Sequence, residues 1–118
     1  MEELRHMEQH VPDDMTADKF LGLMKKHMNL LEKHFEEAIK DTREQTPNAT
    51  YDERVSYLDY VMSQRMQDIH TSALSVIGLS DNEFNGCMVK YGNDRRIIEL
   101  VMQSQARQEQ IKESRLRK

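Results

Sequence analysis

FLGLMKKHMNLLEKHFEEAIKDT, residues 20–42, decides the fold of this chain. At about 100° per residue with Phe20 at zero, Leu23, Met24, Met28, Leu30, Leu31, Phe35, Ala38 and Ile39 fall within about 100° either side of Phe20. Lys25, Lys26, Asn29, Glu32, Lys33, Glu36, Glu37 and Lys40 fall on the opposite side. A helix that segregates its residues this way must bury one face against other helices. His27 and His34, two turns apart, land in the apolar half, and they mark where polar chemistry enters the interior.

Working outward, Arg43 to Ala49 breaks the pattern, because Thr46-Pro47-Asn48 cannot continue a helix. Thr50-Tyr51-Asp52-Glu53 then reads as a capping box that opens a second helix from about Tyr51 to Ile77. Its inward stripe is predicted as Tyr51, Val55, Leu58, Met62, Met66, Ile69, Ala73, Val76 and Ile77. Gly78 is placed to end it. Ser80-Asp81-Asn82-Glu83 is a second capping box, for a short helix to about Tyr91 with Phe84, Cys87 and Met88 inward. Gly92 closes that helix, and Asn93 or Asp94 starts the last one, whose Ile97, Ile98, Val101 and Met102 give it an apolar beginning.

We therefore expect an all-α chain forming a compact, irregular four-helix bundle: two long antiparallel helices, one short helix and one C-terminal helix. Residues 1–15 are expected as a flexible N-terminal arm interrupted by Val11-Pro12, residues 16–103 as the helical bundle domain, and 104–118 as a solvated C-terminal helix extension or tail. With only 4 Gly and 2 Pro, the chain lacks the turn residues of an all-β fold.

The net charge of −4 argues against a nucleic-acid partner, which needs a basic surface. No apolar run approaches the roughly 20 residues that span a bilayer, so no membrane span is expected. The single cysteine suits a reducing compartment, and the polar first 19 residues show no secretory leader, which together suggest an intracellular, cytoplasmic location.

Candidate chemical residues divide into two groups. Imidazoles are common metal and haem-iron ligands, so His27 and His34, with His70 or a methionine, could build a metal- or haem-binding bundle. The di-iron bundles use Glu-x-x-His pairs on their long helices, and here the one Glu-x-x-His is Glu3 to His6 in the arm. Absent a metal, each of His27 and His34 is expected to hydrogen-bond a neighbouring helix. His6 and His10, four apart in the arm, offer a two-ligand site at most. Cys87 lacks a neighbouring base and reads as a structural thiol. No catalytic residues and no cofactor are assigned.

The second group concerns binding. Met62, Met66, Met88 and Met102, with Met24 and Met28, map to inward or border positions, and unbranched thioethers suit an apolar groove that repacks around a partner helix. Tyr57, Tyr60, Val61 and Leu74 lie off the stripe of the second helix and form a candidate contact patch. The sequence thus points to a non-enzymatic helical protein–protein interaction domain, an adaptor or assembly unit. Its partner would be another protein, such as an amphipathic helix or a second copy of the chain.

Overall fold

The computed structural model describes residues 11–117 and forms four helices: α1 (Ala17–Gln45), α2 (Tyr51–Ile77), α3 (Asp81–Tyr91) and α4 (Arg95–Leu116). The fold is an all-α four-helix bundle, as the periodicity predicts, and its long dimension is 53 Å against 28 and 22 Å across. Each helix start has a local cause. Thr16 accepts a hydrogen bond from the Lys19 amide. Thr50 with Glu53 and Ser80 with Glu83 form both reciprocal capping boxes. Asp94 caps α4 by accepting from the Arg96 amide. Gly78 stops α2 in the left-handed region at φ 73°, and its amide donates to the carbonyls of Leu74 and Ser75.

α1 and α2 run antiparallel. Phe20, Met24 and Met28 share a cluster with Leu74 and Ile77, whereas Phe35, Ala38 and Ile39 share one with Leu58 and Val61. Arg65 on α2 reaches Asp41 on α1 at 2.6 Å. α4 runs parallel to α1: Arg96 pairs with Asp18 at one end, Arg107 pairs with Glu32 midway, and Leu116 enters the cluster of Phe35 and Ile39. α1 thus packs along both α2 and α4, which touch one another little, and α3 covers the end where α1 begins.

The core is accordingly two clusters on a common wall. One holds Phe20, Met24, Met28, Leu74, Ile77, Leu79, Cys87 and Ile97; the other holds Phe35, Ala38, Ile39, Leu58, Val61 and Leu116.

Three expectations need correction. The C-terminal extension is the helical form of the two expected, but it does not project freely: α4 continues to Leu116, which is 1% exposed, because Ile111 and Leu116 find apolar cover on α1 and α2. Within the arm, Val11 and Met15 pack on the first cluster and the Met15 carbonyl accepts from Tyr91 Oη at 3.0 Å. The rest of the arm, with His6 and His10, lies outside the described residues. Third, the buried line of α2 is shifted. Val61 and Leu74 are core, while Met66 and Val76 face outward at 54% and 59% exposure. The line turns because α2 buries against the second half of α1 early on, then against the first half of α1 and α3.

Candidate functional site

The predicted contact residues scatter over several surfaces. Val61 sits in the second cluster and Leu74 in the first, so neither belongs to a free patch. Tyr57 is half-buried against the second cluster, and its ring lies 6.4 Å from that of Tyr60, which is 61% exposed. Met62 lines a cleft of about 250 Å³ between α2 and α4, floored by Phe35 of α1 and rimmed by Gln105, Gln108, Glu109 and Lys112. Met88 packs on the other cluster, beneath α3, and Met102 stands on the outside of α4 at 63% exposure. These methionines do not converge on one groove. Met24 and Met28 are core, which is where the wheel of α1 puts them.

A depression of another kind is walled mainly by charged residues. It measures about 840 Å³ and lies where the ends of α1 and α4 meet the start of α2, walled by Lys33, Lys40, Arg43 and Arg115 together with Glu36, Glu37 and Glu44. At its base Arg54 is 9% exposed and donates to three backbone carbonyls: Nε to Thr46 at 3.0 Å, Nη1 to Leu116 at 2.9 Å and Nη2 to Pro47 at 3.2 Å. Among the described residues no carboxylate pairs with it. The negative ends of two helix dipoles, α1 and α4, take that role. No motif marks Arg54. The available signal was its place four residues before Leu58, on the buried line of α2.

Beside this network, Tyr51 Oη donates to Glu113 at 2.9 Å while Arg117 lies 3.9 Å above the Tyr51 ring. Hydrogen bonds from Arg117 and then from Tyr51 hold the Glu113 carboxyl below its usual range.

The histidines separate by environment. His34 is part-exposed and faces Glu37 of its own helix at 3.8 Å. His27 is 6% exposed, stacks on Phe84 with ring centroids 5.0 Å apart and planes at 16°, and both its ring nitrogens lack a hydrogen-bond partner among the described residues. The expected bonds to neighbouring helices therefore form at neither residue. The physical reason is the apolar neighbourhood: Met24, Leu23, Leu30 and Leu31 flank His27 on α1, and α3 presents an aromatic ring. Burial, and then the charge of His70, lower its proton affinity, so the ring is held neutral. His70 meets the same Phe84 edge-on at 6.3 Å, and its Nε2 lies 2.6 Å from Asp81 Oδ1 at the start of α3.

Metal chemistry built on His27 and His34 lacks a shared ligand set, since one ring enters the core and the other turns along its own helix. Among the described residues no group of three or more His, Cys, Asp or Glu side chains could hold a metal ion. Cys87 is fully buried, and burial followed by the charge of Glu83 pushes its thiol up, away from nucleophilic character. No helix among the described residues is long and apolar enough to cross a membrane. No protein-family model, no curated protein and no solved structure matches this chain.

Proposed function

We propose that this chain is a non-enzymatic helical interaction domain that docks a partner protein on its outer helix faces. The supporting observation is the exposure of large apolar side chains that the bundle does not use: Tyr60 at 61% beside Tyr57 on α2, and Ile98 and Met102 at 43% and 63%, one turn apart on α4. An amphipathic partner helix would cover such a face with side chains at three- and four-residue spacing. Aromatic and methionine side chains give large contact area at interfaces. The Met-lined groove is no part of this reading, because its residues lie apart.

The test compares wild type with Tyr60→Asp and Met102→Asp in affinity capture from the source cell, followed by hydrogen exchange on the captured complex. We expect one partner whose capture is lost in a variant, with protection appearing over the substituted helix. A chain that weighs twice its monomer mass, and reverts on Met102→Asp, makes that partner a second copy. Identical capture by all three folded proteins removes the outer faces from consideration.

A further inference from the structure

We propose that α3 is an acid-releasable cover on the bundle, held shut by a neutral His27 and opened when that ring takes a proton.

The geometry has three parts. His27 is buried with neither nitrogen bonded to a protein group among the described residues, so a proton placed there finds no acceptor. Phe84 closes the space over it, stacked on His27 at 5.0 Å and touching His70 and Phe20 at 6.3 and 6.1 Å. Phe84 is carried on the 11-residue α3, so lifting that helix uncovers the ring. That helix is the one least embedded in the bundle: it packs on α1 through far fewer residues than α2 or α4 does.

Around His27 the apolar neighbours and His70 favour release, and the Asp81 carboxylate, whose charge would oppose it, is engaged by His70. On α1 its neighbours three and four residues away are apolar. From α2 comes His70, which opposes a second positive charge. From α3 come Asp81, already engaged by His70 at 2.6 Å, and the buried thiol of Cys87. From α4 the adjoining cluster contributes Ile97, Leu100 and Val101. Among the described residues no carboxylate forms an ion pair with His27. A ring face attracts a cation, but Phe84 cannot replace the hydrogen bonds that imidazolium makes in water. Once α3 lifts, the ring is solvated and its proton affinity returns to the ordinary imidazole range, so acid favours the open form.

Cys87 reports the opening, since it is the one cysteine and sits on the inner face of α3. The full chain is labelled with 4,4′-dithiodipyridine, which reacts in acid, at about pH 7.5 and about pH 5.5. Protection is the labelling rate of the urea-unfolded chain divided by that of the native chain at each pH. We expect protection to fall by about tenfold over this interval, as an open-state imidazole near 6.5 implies. The helical circular dichroism signal should hold, and labelling should depend weakly on urea. His27→Phe should abolish the pH response, with His27→Leu as the alternative side chain, while His70→Asn should retain most of it. Protection that is flat with pH overturns the proposal. So does a fall that survives in the His27 variants, or one whose urea dependence equals that of global unfolding. If neither variant folds, the wild-type urea dependence decides.

Discussion

Arg54 shows how one residue without a motif can hold a fold's end together. Its three carbonyl partners belong to the α1–α2 connection and to the last turn of α4; an apolar replacement would strand those of Pro47 and Leu116, while that of Thr46 keeps the Ala49 amide at 3.4 Å. Charged hydrogen bonds are worth about 1.5–3 kcal/mol each and buried unsatisfied carbonyls cost comparable amounts, with the guanidinium's own desolvation opposing. We expect Arg54→Met to lose about 2–4 kcal/mol by urea unfolding, and Arg54→Lys to retain part of that. A Met variant as stable as wild type would mean that the guanidinium does no more than break even. At His27 the sign of the pH effect follows from linkage. Its folded affinity for a proton is depressed, so below about pH 6.5 the unfolded chain binds more protons than the native one. Stability should fall as pH drops from there until the native ring also protonates. The check is the urea midpoint measured between about pH 7.5 and pH 5.5, with His27→Phe flattening the slope.

Elements were the most legible level. Each cap came from a hydroxyl or carboxylate at the right spacing, and those signals act over four residues, where little else can override them. Gly78 is the sharpest case: it alone among the described residues has φ well above zero, at 73°, and an added Cβ would meet no atom within 4 Å. Gly78→Ala should therefore cost about 1 kcal/mol from backbone strain alone, read as a drop in melting temperature without change in the fold. The end of α4 was illegible for the opposite reason. Ile111 and Leu116 stand alone among charged residues, and only the tertiary fold supplies the apolar surface they meet. Leu116→Ala should cost about 2–4 kcal/mol, and amide exchange over 104–116 should rise more than elsewhere. Uniform exchange along α4 would argue against a local anchor.

At the scale of the molecule, the helix count and the antiparallel pair were visible in the periodicity, but the division of labour among faces was not. The wheel of α1 placed Phe20, Met24, Met28, Phe35, Ala38 and Ile39 correctly because α1 is covered on both sides along its length. On α2 the covering element changes from one half to the other, so a single stripe misassigned Val61, Leu74, Met66 and Val76. The candidate site suffered most, since grouping methionines by inwardness carries no information about which cluster each joins. Two clusters on one wall make a prediction of their own. Ile39→Val and Ile97→Val, 0% and 1% exposed in different clusters, should each cost about 1 kcal/mol. Their sum should hold in the double variant to within about 0.5 kcal/mol, and a larger deviation would reveal a mechanically joined interior. The Arg54 cradle has a consequence for biosynthesis. Its guanidinium is 62 positions ahead of the Leu116 carbonyl it binds, so on a translating ribosome that cation waits, hydrated, until Leu116 has emerged. Shutting this end of the barrel of helices therefore follows synthesis of all four helices, and until then the emerging polypeptide keeps that door ajar.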